Sequence, residues 1–104
     1  TRTDYWSQKK PHAPYLTMLA VGKFAVQKES WRGKEVSYYV EPEFGAYARD
    51  IYPHTVEMLE FYSKQLGVEY PWDKYAQIAV RDYVSGAMEN TGAVIFGEWA
   101  QRTP

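Results

Sequence analysis

Alternating apolar and polar positions in the first half of the chain predict two β-strands. Over residues 21–28, Phe24 and Val26 fall on one face, which is the two-residue period of a half-buried strand. Residues 29–34 are rich in turn-forming types, and residues 35–40 are rich in Tyr and Val. The pattern therefore predicts a strand, a turn and a second strand.

The first twenty residues give a weaker signal. Residues 3–8 can form one short strand, which we expect to end before Pro11 because proline lacks the backbone donor of a sheet ladder. Residues 14–20 are mostly apolar and begin with a proline, a pattern compatible with one or two helical turns. We therefore expect residues 1–44 to be mainly β structure.

Between residues 46 and 66 the hydrophobic period changes to that of an α-helix. Apolar side chains recur at steps of four, three, three and four residues, which places them on one helical face: Tyr52, Val56, Leu59, Tyr62 and Leu66. Gly67 then favours the left-handed conformation that ends a helix. Because of Pro53, the helix either begins near Asp50 or begins near Ala46 and kinks at the proline. We favour one kinked helix.

Two further strands are predicted after this helix. Residues 75–83 form an apolar stretch with Ile78 and Val80 on its core face, and residues 93–96 form a shorter one. A helix followed by strands, after a β-rich first part, indicates an α+β fold.

Composition indicates a globular chain and argues against some classes of partner. Of the 104 residues 45% are hydrophobic, and 12 basic residues stand against 13 acidic ones. A nucleic acid or an anionic membrane is therefore not an expected partner. The chain has no cysteine, which excludes disulfides and thiolate metal sites but leaves the compartment open. Since it starts at Thr1 without a methionine, we interpret it as a piece of a longer protein.

A catalytic metal site is not predicted within these residues. Zinc peptidases place His-Glu-x-x-His on a helix, where two imidazoles four residues apart meet one metal and the glutamate acts as base. The chain has only His12 and His54, and Met58 stands where the inverted motif would need a second histidine after Glu57. We expect His54 on a helix surface beside Glu57 and His12 in a solvated loop. The chain alone is predicted to bind no zinc and to hydrolyse nothing.

Residues 84–98 offer a stretch of main chain suited to binding a peptide. They contain Gly86, Gly92 and Gly97 but no proline, so every backbone N–H is free to pair and another chain can approach closely. An extended segment of this kind can hold a peptide by strand addition. Glu89 lies within it, and a carboxylate beside exposed main chain can neutralise a cationic group at the end of that peptide.

The same stretch carries a resemblance to a known family. Residues 86–90 read Gly-Ala-Met-Glu-Asn, which resembles the G-x-M-E-N motif of the aminopeptidase N and leukotriene hydrolase family of zinc aminopeptidases (gluzincins). By ordinary residue usage, a chance exact match to this pentapeptide in a chain this long is on the order of one in ten thousand or rarer. Residues 59–72 resemble the helix and turn that precede the motif in that family, and residues 78–83 resemble the strand that leads into it. The resemblance covers roughly residues 5–98.

The resemblance implies where this chain would lie in a larger protein. Residues 1–44 would be the end of an amino-terminal antiparallel β domain. Residues 45–104 would be the start of a thermolysin-like catalytic domain, with its first helix and strands. The zinc-binding motif would follow downstream, so zinc is expected in the parent protein and not in this α+β fragment.

The resemblance also implies roles for four residues. Glu89 would bind the free α-ammonium group of a peptide substrate. Gly86 and Ala87 would form main-chain hydrogen bonds with the peptide backbone, and Met88 would line the pocket for the first side chain. Asn90 is expected to be a scaffold residue that bonds the turn. The expected partner is therefore a peptide with a free N-terminus, and the expected reaction of the parent is removal of its first residue.

Two other interpretations stay open at this point. The parent could be a family member kept as a non-catalytic binding scaffold, with its zinc motif lost. Alternatively, the 10 tyrosines and 4 tryptophans could mark an aromatic-rich β module that binds glycans, although we expect Trp6, Trp31 and Trp72 to pack against the sheet instead. A piece of a larger protein is also expected to expose apolar faces that permit self-association.

Overall fold

The computed structural model of this chain describes residues 1–102 and is built on one mixed β-sheet. In chain order the strands are β1 (Ala25–Trp31), β2 (Lys34–Val40), β3 (Lys74–Val80), β4 (Ala87–Met88) and β5 (Ala93–Gly97). In space they lie in the order β1–β2–β3–β5–β4. Two helices, α1 (Ala48–Ile51) and α2 (Thr55–Leu66), lie between β2 and β3 in the chain. The predicted α+β class is confirmed.

A tight turn joins β1 and β2, which pair antiparallel from Ala25 opposite Val40 to Trp31 opposite Lys34. Its two central residues, Arg32 and Gly33, have φ values of 47° and 77°. Positive φ at both positions is typical of the turn whose twist matches a two-residue hairpin. The turn predicted over residues 29–34 was therefore too long, because β1 continues to Trp31.

The central strands are parallel, and this arrangement determines the position of β4. β2 pairs in parallel with β3, and β3 pairs in parallel with β5. Parallel neighbours need a long crossover connection, and between β2 and β3 the helical segment supplies it. β4 lies in the connection from β3 to β5 and pairs antiparallel with β5, so it becomes the outermost strand on that side.

The sheet extends across the domain boundary predicted near residue 44. β2 precedes this position and β3 follows it, yet the two strands pair from Glu35 opposite Lys74 to Tyr39 opposite Ile78. In this chain the segments on both sides of residue 44 thus form one sheet. The division into 1–44 and 45–104 remains a prediction about the longer protein.

The helical segment is broken where the sequence predicted a kink. A 3-10 helix at Pro42–Tyr47 leads into α1, which ends at Ile51, and α2 begins only at Thr55. Pro53 lies in the interruption, because it cannot donate a hydrogen bond to the preceding turn. The prediction of one continuous kinked helix was therefore wrong, since two helices form instead. Gly67 ends α2 in the left-handed conformation, with φ 67°, as predicted.

The core lies where α1 and the residues that follow it, before α2, pack against β1 and β2. Its buried residues are Trp31, Val36, Tyr38, Val40, Ala48 and Tyr52. The tyrosine rings of residues 38 and 52 are stacked with centroids 5.6 Å apart. The predicted helical face is buried only at its start, because Leu66 near its end is 72% exposed. Around that end, residues including Met58, Tyr62 and Tyr70 line an apolar groove of about 350 Å³.

The strand predicted over residues 3–8 was wrong. Residues 1–9 have no regular secondary structure and are exposed, and Trp6 is 78% exposed instead of packed on the sheet. A strand needs a hydrogen-bonded partner, and β1 pairs only with β2 among the described residues. The helical turn predicted next is confirmed as a short 3-10 helix at Pro14–Leu16.

Candidate functional site

β4 forms an open edge of the sheet and contains two of the predicted site residues. Ala87 lies opposite Phe96 and Met88 opposite Ile95 in the pairing with β5. Only these two residues of the motif form a strand, so the extended segment is shorter than the sequence suggested. The other side of β4 faces no strand within residues 1–102.

The pairing indicates which backbone groups face that open side. The Gly86 carbonyl points toward β5, where it accepts a hydrogen bond of 3.1 Å from the Gly97 N–H. In an antiparallel pair, hydrogen-bonded and non-hydrogen-bonded positions alternate along the strand. The N–H and C=O of Ala87, and those of Glu89 if the strand geometry continued, therefore point away from β5. Ala87 is thus the motif residue best placed to pair with an added strand.

Glu89 lies directly after β4, and its side chain is exposed to solvent. The salt bridges within the described residues 1–102 all involve other side chains. The carboxylate is therefore accessible at one end of the open edge. Its role in binding an amine stays a prediction.

Asn90 fixes the turn that follows Glu89. Its side chain is buried, with 7% exposure, and its Nδ2 donates a hydrogen bond of 3.1 Å to the Leu16 carbonyl. The Asn90 carbonyl accepts from the Ala93 N–H at 3.2 Å. Gly92 completes the turn with φ 71°, a conformation that glycine adopts without strain. Asn90 thus connects the end of the motif to the amino-terminal segment.

Charged side chains support the loop that leads into β4. Arg81 follows β3 and Glu41 follows β2, so they meet at the carboxyl edge of these parallel strands. The Arg81 Nε and Nη2 atoms each lie 2.7 Å from a Glu41 carboxylate oxygen. These hydrogen bonds hold the pKa of Glu41 below its usual value. The Gln101 side chain accepts from the Glu41 N–H at 2.7 Å and ties the end of the chain to the same point.

The sequence placed Gly97 in the glycine-containing stretch but did not identify its contact with Trp99. A Cβ atom at Gly97 would lie only 2.7 Å from Trp99 Nε1, whereas a Cβ at Gly86 would lie 3.9 Å from Trp99 Cζ2. The tight contact in this region is thus between Gly97 and Trp99, and the approach of another backbone at Gly86 stays a prediction. No motif pointed to the contact with Trp99, since it depends on how the chain turns after β5.

The other candidate residues are placed as follows. Met88 is half-buried on β4, and its role in lining a pocket stays a prediction. His54 lies on the surface beside Glu57, with 3.0 Å between Nδ1 and Oε2, as predicted. Among the tryptophans only Trp31 is buried in the core, so the expectation that Trp6 packs on the sheet was wrong.

Residues 1–102, which the structure describes, do not fit a catalytic zinc ion. Within residues 1–102, no three His, Asp or Glu side chains lie close enough together to hold a metal ion. His54 directly precedes α2 and pairs with Glu57 in its first turn, and among the described residues no third ligand lies beside this exposed pair. A zinc ion in the longer protein would therefore need ligands from other parts of that protein. In the same described part of the chain, no helix has the length and apolar character to cross a membrane.

Comparisons with known proteins agree on one family. Residues 51–100 match the peptidase family M1 domain. The chain is 35% identical over 92 residues to glutamyl aminopeptidase of Mus musculus, which covers 85% of this chain and 9% of that protein. It is 34% identical over 86 residues to aminopeptidase 2 of Candida albicans, with 79% and 9% covered. It is 33% identical over 90 residues to puromycin-sensitive aminopeptidase of Caenorhabditis elegans, with 83% and 9% covered. The chain spans about a tenth of the length of these curated relatives.

Proposed function

Because this chain belongs to peptidase family M1, we propose that the longer protein is a zinc-dependent aminopeptidase that removes N-terminal residues from peptides. In this proposal the chain supplies the part of the active site that holds the free amino end of the substrate. The names of the relatives support the reaction class, since the three described above are aminopeptidases.

The observation that carries the proposal is the position of Glu89 at the end of an open strand edge. Its exposed carboxylate can pair with an α-ammonium group, while the outward N–H and C=O of Ala87 can pair with the peptide backbone. The carboxylate at one end of the edge fixes where the amino end of a bound peptide lies. Among the main-chain groups of a peptide, only the α-ammonium of the first residue presents a cation to the carboxylate.

The edge also suggests the direction and register of the bound peptide. With its amine beside Glu89, the peptide runs antiparallel to β4. Its first residue then lies opposite Met88 and its second opposite Ala87, where the outward backbone groups can form a pair of hydrogen bonds. Directly opposite residues point to the same face of a sheet. The first side chain therefore lies on the face of Met88, in keeping with the pocket role proposed for that residue.

Catalysis itself needs groups that this chain does not contain. A zinc ion would activate the water that attacks the first peptide bond, and its ligands would come from elsewhere in the longer protein. We propose that residues 1–104 alone are inactive and that their contribution is recognition of the amine and of the backbone.

Substitution of Glu89 in the full-length protein tests this proposal. A peptide ammonium left without its carboxylate in a closed site loses roughly 3–5 kcal/mol of interaction. Glu89→Ala and Glu89→Gln should therefore lower kcat/KM for free-amine peptides by about 10²- to 10⁴-fold. Zinc content, measured by atomic absorption, should stay at the wild-type level.

A matched control and two contrary results complete the test. Glu57→Ala removes another exposed carboxylate, on α2, and should leave activity unchanged. Wild-type rates in the Glu89 variants, or equal hydrolysis of N-acetylated peptides by the wild type, would refute the ammonium role. A full-length protein that contains no zinc but binds peptides through Glu89 would instead be the non-catalytic scaffold.

A further inference from the structure

The indole of Trp99 extends across both strands at the open edge. Its Nε1 and Cδ1 atoms lie 2.7 Å and 2.8 Å from where a Cβ of Gly97 would be, and its Cζ2 lies 3.9 Å from where a Cβ of Gly86 would be. The five-membered ring therefore covers β5, and the six-membered ring reaches the backbone that enters β4. Trp99 is 54% exposed, so much of this ring remains accessible.

The backbone around Trp99 is held in place by hydrogen bonds. Residues Glu98–Ala100 form a 3-10 helix, in which the Gln101 N–H donates to the Glu98 carbonyl at 3.0 Å. The Arg102 Nε donates to the Trp99 carbonyl at 3.2 Å. The buried side chain of Gln101 is fixed to the end of β2 through Glu41, as described above. The backbone that carries the ring is thus tied to the sheet by these hydrogen bonds.

The strand pairing relates this ring to the peptide in the proposed register. Gly86 and Gly97 are joined by a backbone hydrogen bond and both face Trp99. An added peptide strand lies about 4.8 Å beyond β4. Its third residue comes opposite Gly86, and directly opposite residues share a face. Because Gly86 has no side chain, the space between the Trp99 ring and that third side chain is open.

We propose that Trp99 is a specificity-determining residue that contacts the side chain of the third residue of the peptide and favours large apolar or aromatic types there. This inference rests on the proposed function, since it uses the direction of the peptide set by Glu89. An exposed indole gives an apolar or aromatic side chain a flat surface on which to bury area. A small or charged third residue gains little from that surface.

The test uses the full-length protein and two peptides that share their first two residues. They are X-Ala-Phe and X-Ala-Ala, with X the first residue that the wild type cleaves fastest. The expected ratio of kcat/KM values in the wild type is about 5- to 20-fold in favour of Phe, the range typical of one apolar contact. Trp99→Ala should reduce this ratio to about one, whatever happens to the absolute rates.

Three further variants separate specificity from folding. Trp99→Phe keeps an aromatic ring and should retain a ratio above that of Trp99→Ala. Gly97→Ala displaces the indole without removing it and should also lower the ratio. As a control, Trp6→Ala removes a more exposed tryptophan that lies outside the edge, and it should leave both rates unchanged. Circular dichroism and thermal melting of each variant establish that it folds.

The outcomes distinguish the two proposals. If the wild type shows no preference for Phe, or if Trp99→Ala keeps the ratio while Glu89→Ala abolishes activity, the role of Trp99 is refuted and the proposed function stands. If activity does not depend on Glu89, the proposed function fails, and the assignment of Trp99 fails with it. A ratio lost in Trp99→Ala and Gly97→Ala, but kept in Trp6→Ala, supports the assignment.

Discussion

Replacement of Asn90 by aspartate tests how the motif is connected to the rest of the chain. The two side chains have nearly the same shape, so the change replaces the Nδ2 donor by an oxygen without creating a cavity. Asn90 is buried, and its Nδ2 donates to the Leu16 carbonyl at 3.1 Å. Its Oδ1 is also buried and has no hydrogen-bond partner within the described residues. An ionised carboxylate at this position would therefore place two negative oxygens in a site without donors.

The expected loss in the free energy of unfolding follows from the burial of Asn90 and from its lost hydrogen bond. Asn90→Ala leaves the Leu16 carbonyl without its donor and should lower the free energy of unfolding by about 1–3 kcal/mol. Asn90→Asp should cost about 3–5 kcal/mol at neutral pH, because an uncompensated charge is buried.

The aspartate variant should also respond to pH. Burial raises the pKa of the introduced carboxyl in the folded state above its unfolded value of about 3.9. The folded state then binds the proton more tightly, so the penalty is small below about pH 4 and grows as the pH rises through the folded pKa.

Urea unfolding followed by tryptophan fluorescence measures both effects. The difference between Asn90→Asp and wild type should be small at pH 4 and full at pH 8. Gln65→Glu makes the same amide-to-acid change at an exposed position of α2 and should show no such trend. An Asn90→Asp variant as stable as wild type at pH 8, or one whose deficit does not vary with pH, would refute the connection described here.

The same unfolding measurements test two other hydrogen-bonded groups. Hydrogen bonds from Arg32, above all, lower the pKa of Glu60 to about 2, so the stabilisation is present above its unfolded pKa of about 4.3 and is lost as the pH falls toward 2. Glu60→Gln should weaken this acid dependence, and superimposable pH curves for variant and wild type would count against it. Thr55→Val removes the buried hydroxyl that donates to the Gln77 side chain at 2.5 Å, and it should cost about 1–3 kcal/mol. Ser37→Ala removes a buried hydroxyl with no partner in residues 1–102 and should cost much less; equal losses in the two variants would contradict this reasoning.

Elements specified by local patterns were predicted well. The alternating strands on either side of Gly33, the apolar strand at Ala93–Gly97 and the end of α2 at Gly67 all depend on neighbouring residues, and the structure contains each of them. Pro53 was also recognised from the sequence as a residue that interferes with a continuous helix, because this effect is local as well. Its effect is a complete break between α1 and α2 instead of a kink, and the hydrophobic pattern did not distinguish these two outcomes.

Features that depend on distant partners were not predictable. The strand expected at residues 3–8 has suitable residues but no neighbour to pair with. The parallel pairing of β2 with β3 and the outer position of β4 follow from the path of the connections, which the hydrophobic pattern does not contain. Asn90 was recognised as a scaffold residue, but its acceptor, the carbonyl of Leu16, lies 74 positions away in the chain.

In the candidate site, too, the residues of the sequence motif were predicted, and the residue that depends on the path of the chain was not. The motif residues were found through the resemblance, and their position at an open edge agrees with the strand-addition idea without testing it. Trp99 was missed because its ring reaches Gly86 only after the short helix turns the chain back over the sheet. A glycine two positions before an aromatic residue, as at Gly97, is the one local signal that could have drawn attention to it.

The brevity of β4 limits how far this edge could pair with the edge of a second copy. An open sheet edge that can accept a peptide could equally accept the edge of a second copy and grow into a continuous intermolecular sheet. With only Ala87–Met88 in extended pairing, the ladder available to another copy is very short. The negative charge of Glu89 at its end disfavours a neighbour that brings the same charge. The edge can thus stay open to short ligands while offering little to the edge strands of other molecules.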